Sequence, residues 1–396
     1  MKIMFAGGGT GGHLMAGVSI AEEISARFPD TDIIFLGTNR KKEAAYVERS
    51  GYKFKQIKMH KLTSFAYLPV FAFVSIIGII LSLVNIIKIK PDIIIGLGGY
   101  GSVLPVIAAY IARVPIVLIE QNVIPGRANQ LMARWVDAVL CHWEGTAKRF
   151  KRANSLYVTG IPIRRNIMIN KASITNNTLG LDIHKKTLLV MGGSQGAHAI
   201  NKVMLQSIPG IKSLIPELQI IHLTGKPGYK EAKAAYDKMG IKAFVTEFLD
   251  NIGIAYGLSD LIVCRAGANS TAEISAVGIP AIFIPYPYAT DDHQYWNAYE
   301  IAKSGGAVIV KQEGLGPEKI IELVSDLLMN DEKLDNMKRT NKGLGKPYVS
   351  NRVVDKIFQI LKVKKNNKNI IPVYFRSRYE IRKCVQRNDS SFAEIL

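Results

Sequence analysis

Cysteine and acidic side chains are scarce in this sequence of 396 residues. The three cysteines, Cys141, Cys264 and Cys384, are odd in number and far apart, so they fit neither a disulfide framework nor a zinc site and indicate a reducing cytosol. Asp and Glu number 32 against 51 Lys and Arg, which gives a formal net charge of +19. Such a charge suits nucleic acid, an anionic membrane or a phosphorylated substrate as partner.

Recognisable modules for nucleic acid are also missing. The sequence has no zinc-finger spacing, no RNP-like aromatic strand and no basic heptad region, so we expect no nucleic-acid partner. We also expect no secretory signal, because Lys2–Ala6 is typical of a first strand that runs straight into a glycine loop. The basic side chains cluster, with eight Lys and Arg against two Glu over residues 40–61 and eight against one over residues 362–383.

One long apolar segment, residues 65–87, carries no charge over 23 residues. Its length would cross a bilayer, but Pro69 and Gly78 interrupt it, and it lies between two parts of one α/β pattern. We expect a helix that lies on the membrane surface, because lysines flank the segment on both sides and would meet anionic headgroups. A buried core helix and a true membrane span are the alternatives.

Short apolar runs that are typical of strands alternate with helical patterns through most of the sequence. This alternation predicts an α/β fold with two Rossmann-like, doubly wound parallel-sheet domains. Ligands of such sheets bind beyond the carboxyl ends of the strands, here in the cleft between the domains. We assign an N-terminal domain to residues 1–163, a polar linker to 164–186, a C-terminal domain to 187–345, a final helix to 346–361 and a basic tail without an assigned role to 362–396.

Three glycine-rich loops, Gly7–His13, Gly98–Ser102 and Gly192–Ala197, each follow a predicted strand and open a predicted helix. Glycine lets a ligand approach the backbone, and the N–H groups of a helix start attract phosphate, so the loops together predict a phosphorylated ligand. The first loop also fits a dinucleotide-binding fingerprint. The second strand, however, ends without the acid that would bind a ribose, and no hydride-transfer site is evident, so we do not expect a redox enzyme.

The segment 264–298 combines a strand, a turn, a helix start and a polar loop. A helix predicted over Ser270–Val277 presents N–H groups that bind anions, and Glu273 lies one turn in, where a carboxylate would bind sugar hydroxyls. The loop 291–294 offers polar groups for a hexose. Ser270 and Glu273 also fit a capping box, in which Glu273 would only satisfy backbone donors, and both interpretations stay open at this point.

Six motifs occur in the order known from one family. They are GGTGGH (residues 8–13), GGYGS (98–102), EQN (120–122), GGSQGA (192–197), the CRAGA…AE block (264–273) and DDHQYWNA (291–298). Through them the sequence, from about residue 2 to 361, resembles the MurG family of bacterial glycosyltransferases. The resemblance implies a GT-B fold, UDP-GlcNAc as donor, the undecaprenyl-pyrophosphoryl-MurNAc-pentapeptide lipid I as acceptor, and peripheral attachment to the cytoplasmic face of the inner membrane. Cell-wall synthesis proteins would be further partners.

The resemblance also implies a donor site that draws on both domains. The first glycine loop and Asn122 would lie at the sugar. Arg164 matches a donor-binding arginine, although Ile161 replaces the asparagine that precedes it in the family. Ser194 would bind the diphosphate, Leu249 the uracil and Glu273 the ribose. The implied site is completed by residues of the first loop, the nucleotide-binding turn and the hexose loop: Thr10, Gly11, Gly12, Ala268, Asn269, Ser270, Thr271, Ala272 and Gln294, with Arg265, His293 and Tyr100 beside them.

The implied reaction displaces UDP from an anomeric carbon by a muramyl C4 hydroxyl, with inversion. It requires a base for the hydroxyl proton and stabilisation of the leaving diphosphate. His13 is the candidate catalytic base, since imidazole titrates near neutrality; a structural histidine that caps the loop is the alternative. Ser194, Arg265 and the helix starts would stabilise the diphosphate, so we expect no metal and no other cofactor.

Other functions share parts of this pattern. A UDP-sugar-dependent enzyme that makes a diacylglycerol glycolipid would share the fold, the donor and the membrane face, but EQN and HQYWNA favour the MurG family. A UDP-GlcNAc 2-epimerase would share the architecture without needing the apolar segment. A non-enzymatic, membrane-bound sensor of nucleotide sugars would have no use for His13.

Overall fold

Strands and helices alternate along the chain, as the apolar runs between glycine turns predict. The computed structural model describes residues 1–8, 11–57, 68–176, 178–193, 195–346 and 349–367. The strands of the first half are β1 (Lys2–Ala6), β2 (Asp32–Gly37), β3 (Lys53–Gln56), β4 (Ile93–Gly96), β5 (Ile116–Glu120), β6 (Ala138–Cys141) and β7 (Leu156–Val158). Its helices are α1 (Gly11–Arg27), α2 (Lys41–Arg49), α3 (Leu68–Ile89), α4 (Tyr100–Ile111), α5 (Arg127–Met132) and α6 (Glu144–Ala147).

The second half repeats the pattern. Its strands are β8 (Thr187–Met191), β9 (Gln219–Leu223), β10 (Ala243–Thr246), β11 (Leu261–Cys264), β12 (Ala281–Phe283) and β13 (Ala307–Ile309). Its helices are α7 (His198–Leu214), α8 (Tyr229–Lys238), α9 (Ile252–Leu258), α10 (Ala268–Val277), α11 (His293–Ala302), α12 (Pro317–Leu328), α13 (Asp331–Leu344) and α14 (Val349–Asn367).

The strands form two parallel sheets, which confirms the predicted pair of Rossmann-like domains. The first sheet has the order β3-β2-β1-β4-β5-β6-β7 and the second the order β10-β9-β8-β11-β12-β13. In each sheet the order reverses between two adjacent strands, β1 and β4 in the first and β8 and β11 in the second. The crevice for a ligand opens beyond the carboxyl ends of those strands, and the glycine loops follow three of them, β1, β4 and β8.

The last helix, α14, returns to the first domain. Val353, Ile357 and Leu361 lie on one face of it and pack into the core around β1 and α1. The rings of Phe28 and Phe358 stack with centroids 4.3 Å apart. The helix, Val349–Asn367, begins within the predicted span 346–361 and extends beyond its end, and it makes the first domain discontinuous in sequence.

The polar segment 164–186 is anchored to the second domain. It contains three short 3₁₀ helices, Arg165–Ile167, Lys171–Ser173 and Thr178–Gly180. Ile167, Ile174 and Leu181 are buried in the same core as β9, α9 and β11. These apolar residues lie seven residues apart, although the segment forms only short 3₁₀ helices, and they fix it at three points.

Helix α3 carries most of the long apolar segment and is buried on one face only. Ile79, Leu83 and Ile86 pack towards the core beneath α4, whereas Phe73 and Ile76 are 65% and 57% exposed. By length and composition alone the helix could cross a membrane. Only 17% of its most apolar 18-residue stretch is buried. The alternative of a buried core helix is therefore wrong. Residues 65–67 of the predicted segment lie outside the described residues.

Candidate active site

The first two glycine loops pack against each other at the end of neighbouring strands β1 and β4. A Cβ atom added to Gly101 would lie 2.9 Å from the nitrogen of Gly8, and one added to Gly99 would lie 3.0 Å from its oxygen. Gly99 also has a φ of +72°, which favours glycine. The starts of α1 and α4, with Gly11 and Gly12 in the first turn of α1, therefore face one crevice. Thr10 lies outside the described residues.

His13 lies in the first turn of α1 with its ring against the second glycine loop. A Cβ atom on Gly99 would be 3.3 Å from both Cε1 and Nδ1 of that ring. Burial, with a smaller effect from the charge of His293, lowers the pKa of His13 to about 4. The expectation that this imidazole titrates near neutrality is therefore wrong for the ligand-free cleft. At pH 7 the ring is neutral and able to accept a proton.

The third glycine loop opens α7 in the second domain. Gly196 has a φ of +76°, and a Cβ atom there would lie 2.0 Å from the oxygen of Thr224, so the loop packs tightly on the turn after β9. Strand β8, which precedes the loop, pairs with β11, which precedes α10. The starts of α7 and α10 thus lie on neighbouring strands. Ser194, the residue predicted at the diphosphate, lies outside the described residues.

Helix α10 starts earlier than predicted, at Ala268. Its N-cap is Gly267, which makes no side-chain capping bond, so Ser270 is the third helical residue. The capping-box interpretation of Ser270 and Glu273 is therefore wrong. The hydroxyl of Thr271 donates to backbone oxygens of the same turn, and Ala272 packs across the cleft on Ala16 and Ile161. The backbone N–H groups of the first turn remain as anion donors.

Glu273 is buried, and its carboxylate binds two side chains. Arg164 donates to both oxygens, from Nε and Nη2, at 2.8 Å each. The hydroxyl of Tyr256 donates to Oε2 at 3.0 Å. Burial and the neighbouring carboxylate raise the pKa of Tyr256 well above its ordinary value, so the hydroxyl stays protonated. A carboxylate accepts about four hydrogen bonds, and these three leave room for one more.

The EQN motif forms a loop shaped by a buried carboxylate. Glu120 accepts hydrogen bonds from the backbone N–H groups of Asn122 and Gly126, both at 2.9 Å, and from Nδ2 of Asn129 at 2.8 Å. Burial raises the pKa of Glu120, and these bonds oppose the rise. The side chain of Asn122 reaches the second domain, where its oxygen accepts from Nδ2 of Asn297 on α11 at 3.1 Å.

The cleft is closed by further contacts between the domains. Nδ2 of Asn269 donates to the oxygen of Gly12 at 2.9 Å, which joins the start of α10 to the start of α1. At the rim, Arg127 pairs with Asp291 through two bonds of 2.8 and 3.2 Å. The predicted acceptor-side loop and the predicted nucleotide-side helix are thus in direct contact.

The start of α11 holds the predicted hexose loop. Asp291 and Asp292 have φ values of 52° and 50°, a left-handed conformation that costs free energy at non-glycine residues. Nδ1 of His293 lies 2.8 Å from the oxygen of Thr290, so Nδ1 carries the hydrogen. The amide oxygen of Gln294 accepts from the nitrogen of Tyr286 at 3.0 Å. This bond leaves the amino group of Gln294 for a ligand.

Three other predicted residues lie at the edges of the site. The guanidinium of Arg265 donates to the oxygens of Ile284 and Pro285 at 3.0 and 2.9 Å and to Gln312 at 2.6 Å, so it braces the loop after β12. Leu249 lies in the loop between β10 and α9 and packs partly on the second domain's core. Tyr100 begins α4, with the Arg40 guanidinium carbon 5.8 Å from its ring centroid.

Sequence reasoning missed two of these partners, Tyr256 and Asn297. Tyr256 lies in an apolar helix where nothing marks it as polar in function. The sequence does contain a pattern that indicates Asn297. This residue lies three residues after Gln294 and four after His293, so it shares their helix face. Within the described ranges, no group of three or more His, Cys, Asp or Glu is placed to hold a metal ion.

Comparison with known families agrees with this geometry. The model of the glycosyltransferase family 28 N-terminal domain matches residues 3–141, and that of the glycosyltransferase family 28 C-terminal domain matches residues 187–353. The chain belongs to glycosyltransferase family 28. The first matched region contains β1 to β6 of the first sheet but not β7, and the second contains the whole second sheet and the start of α14.

Individual relatives show which members of this family the chain is similar to. The chain is 37% identical to the UDP-N-acetylglucosamine–N-acetylmuramyl-(pentapeptide) pyrophosphoryl-undecaprenol N-acetylglucosamine transferase of Halothermothrix orenii, over 90% of this chain and 98% of that protein. Among solved structures, MurG of Acinetobacter baumannii matches with a TM-score of 0.72 and 27% identity, over 90% of this chain and 99% of that one. The resemblance to the MurG family is thereby confirmed.

The architecture alone is shared more widely. A UDP-GlcNAc 2-epimerase from Neisseria meningitidis matches with a TM-score of 0.64 but at 13% identity, over 91% of this chain and all of that one. At that identity the match concerns the fold only, and it places the chain among two-domain proteins with a cleft between parallel sheets.

Proposed function

We propose that this chain is an inverting glycosyltransferase that moves GlcNAc from UDP-GlcNAc to the C4 hydroxyl of MurNAc in undecaprenyl-pyrophosphoryl-MurNAc-pentapeptide. The product is the disaccharide lipid used for peptidoglycan. The observation that carries the proposal is the match to a named transferase at 37% identity, over 90% of this chain and 98% of that protein. A cleft that joins the starts of α1, α4, α7 and α10 supports it, since each start offers N–H groups to phosphate.

In this proposal the C4 oxygen of the acceptor attacks the anomeric carbon of the donor. The bond from that carbon to the phosphate oxygen breaks, the electron pair leaves with UDP, and the hydroxyl proton passes to Nδ1 or Nε2 of His13. The neutral state of His13 suits this role. The diphosphate of the acceptor or donor lies close to the first loop and raises the pKa of the imidazole, which makes it a better proton acceptor.

The second domain binds the donor. The first turn of α10, Ala268 to Ser270, and the third glycine loop with Ser194 receive the diphosphate. Glu273 uses its remaining acceptor position for a ribose hydroxyl, while Arg164 fixes the carboxylate with two hydrogen bonds. Backbone groups at Leu249 bind uracil, and Gln294 with Asn122 contacts the hexose.

Leaving-group stabilisation in this proposal requires no metal. Helix starts and loop N–H groups carry partial positive charge, and they are fixed before UDP develops its negative charge. We therefore propose metal-independent transfer. Full activity in the presence of a strong chelator would support this point, and loss of activity restored by one divalent cation would contradict it.

The exposed face of α3 is the proposed membrane contact. Phe73, Ile76 and Ile87 are more than half exposed, as are Tyr110 and Ile111 on the adjacent α4. Lys88 lies in the last turn of α3 and Lys90 directly follows the helix, and both would meet anionic headgroups. We propose that the protein lies on the cytoplasmic face of the bacterial plasma membrane without spanning it, where a lipid-linked acceptor is accessible and cell-wall synthesis proteins are candidate neighbours.

A transfer assay tests the function. Radiolabelled UDP-GlcNAc, UDP-Gal and UDP-Glc are each incubated with the full chain and with either lipid I or diacylglycerol in vesicles. We expect label in the lipid only for UDP-GlcNAc with lipid I. Transfer to diacylglycerol would replace the proposal by a glycolipid synthase, and binding of UDP-GlcNAc without transfer to either lipid would replace it by a sensor.

A further inference from the structure

Asn297 is a fully buried side chain that connects the two domains beside the proposed hexose site. Its Oδ1 accepts from the backbone N–H of Val123 at 2.9 Å. Its Nδ2 donates to the oxygen of Ala266 at 3.2 Å and to Oδ1 of Asn122 at 3.1 Å. One amide on α11 thereby touches the EQN loop of the first domain and the turn before α10.

These partners allow a single orientation of the Asn297 amide. The N–H of Val123 can only donate and the oxygen of Ala266 can only accept, so oxygen must face the first and nitrogen the second. Nδ2 of Asn297 then also faces Asn122, which must accept the hydrogen bond through its own amide oxygen. The amino group of Asn122 is left on the other side of its amide, 3.5 Å from Oε1 of Glu120.

The backbone of Asn122 is also held by hydrogen bonds on both sides of the residue. Its N–H donates to Glu120 at 2.9 Å, and its oxygen accepts from Oγ1 of Thr146 at 2.9 Å. The side chain itself remains half-buried at the cleft. With the backbone fixed, the orientation of the Asn122 amide depends on its side-chain partners. Asn297 is the nearer of the two at 3.1 Å, and the more distant Oε1 of Glu120, at 3.5 Å, favours the same orientation.

We infer that Asn297 is a positioning residue that sets the hydrogen-bonding polarity of Asn122, so that the closed cleft presents an N–H donor to an acceptor oxygen of the donor's sugar. The inference rests on the proposed function, because it takes Asn122 to contact that sugar. It also explains how closure assembles the sugar site, since Asn122 receives its orientation only when α11 lies against the EQN loop.

Asn297→Asp tests the inference. The carboxylate keeps an acceptor for Val123 but places a second oxygen opposite Ala266 and Asn122, so Asn122 must turn and present its oxygen to the cleft. Calorimetry on the full chain compares UDP with UDP-GlcNAc. We expect the affinity for UDP to stay within about twofold, while the gain from the sugar falls about tenfold, the effect of one hydrogen bond to a correctly oriented partner.

Asn341→Asp is the matched control. Asn341 is also fully buried in the second domain, and its Nδ2 donates to two backbone oxygens, those of Ile279 and Gly306, at 2.7 and 2.8 Å. It lies on α13, which carries no residue of the proposed site. This variant should lose similar thermal stability and keep the full gain in affinity from the sugar.

A second variant covers the case in which Asn297→Asp does not fold. Asn122→Asp leaves Asn297 intact and replaces only the presented amino group by oxygen, so it should lose the same sugar-dependent affinity. Combining Asn122→Ala with Asn297→Asp should weaken sugar binding no more than Asn122→Ala alone.

Two results would overturn the inference: equal loss of UDP and UDP-GlcNAc affinity in Asn297→Asp, or additive losses in the double variant. Failure of the unaltered chain to bind UDP-GlcNAc at all would instead contradict the proposed function.

Discussion

At the scale of single residues, the cleft shows how burial changes the chemistry of familiar side chains. His13 is neutral far below pH 7 because its ring is desolvated between two glycine loops. Glu273 lies buried in an ion pair with Arg164, which donates to both of its oxygens. Burial thus favours an uncharged ring at His13, whereas at Glu273 a bidentate partner compensates for burial.

Replacing His13 by alanine should lower kcat about 10²- to 10⁴-fold, the usual effect of a general base. Affinity for UDP-GlcNAc should change far less, because the nucleotide is bound by the other domain. Initial rates with lipid I and calorimetry with the donor measure the two quantities. Equal losses of kcat and of donor affinity would show that His13 is not the base and would favour a structural role.

The pH dependence follows from the lowered pKa of His13. Its imidazole is neutral above about pH 4, so its protonation should reduce kcat/KM only as the pH falls towards that value. In the substrate complex the diphosphate stabilises the charged ring, so the acid limb of kcat should lie at higher pH than that of kcat/KM. A limb near pH 6.5 in kcat/KM that disappears in His13→Ala would contradict this order.

Glu273→Gln should weaken UDP binding about tenfold and should abolish the preference for UDP over 2′-deoxy-UDP. The reason is that the remaining acceptor position of the carboxylate is the one assigned to a ribose hydroxyl. Tyr256→Phe is the control, since it removes a hydrogen bond to the same carboxylate and leaves the charge in place. Unchanged nucleotide affinity together with a lower melting temperature would show that Glu273 only joins elements of the fold.

At the scale of elements, the apolar helix α3 and the terminal helix α14 show two uses of hydrophobic residues. In α14 an apolar face every third or fourth residue is buried in the first domain. In α3 the apolar residues continue around the helix, and the half that faces away from α4 is exposed. A face of that kind on a folded protein marks an interaction surface.

Replacing Phe73, Ile76 and Ile80 by serine should release the protein from vesicles that contain anionic lipid. These three side chains lie on the exposed face, whereas Ile79 and Leu83 pack on the core and would report stability as well. Vesicle sedimentation measures the bound fraction. Serine at the exposed Leu214 and Met329 of the second domain is the control. If the α3 variant binds vesicles as well as the unaltered chain does, the basic clusters rather than α3 make the membrane contact.

At the scale of the whole molecule, the described part of each domain contains a deeply buried histidine outside the proposed active site, His142 in the first and His222 in the second. Nδ1 of His142 accepts from the N–H of Ile161 at 2.8 Å, and His222 lies between Tyr236 and Asn201 at 2.9 and 3.1 Å. Burial lowers the pKa of both to about 3, and the charge of Lys346 assists at His142. The fold therefore depends on two neutral imidazoles.

Stability should fall as the pH drops below about 6.5. In that range the unfolded chain binds a proton at His13, His142 and His222 and the folded chain does not, so the free energy of unfolding decreases by up to about 4.1 kcal/mol per pH unit for the three histidines. Urea unfolding at pH 7, 6 and 5 measures the slope. His222→Gln should reduce it by about a third, and an unchanged slope would contradict the assignment.

The sequence by itself determined the fold class, the glycine loops and the family, because apolar periods and glycine positions depend on local geometry. The bounds of β1, Lys2–Ala6, agree with the predicted ones for the same reason. Glu273 was recognised as important, but its alternative roles could not be separated by spacing, since a capping box and a ligand contact look alike in sequence.

Only the tertiary structure decided what these residues touch. The bonds of Glu273 to Arg164 and Tyr256, and those of Asn297 to Asn122 and Val123, join positions 17 to 175 residues apart. The pKa of His13 likewise depends on desolvation by a second loop. Such properties arise from packing between distant segments, within a domain for Glu273 and between the two domains for Asn297.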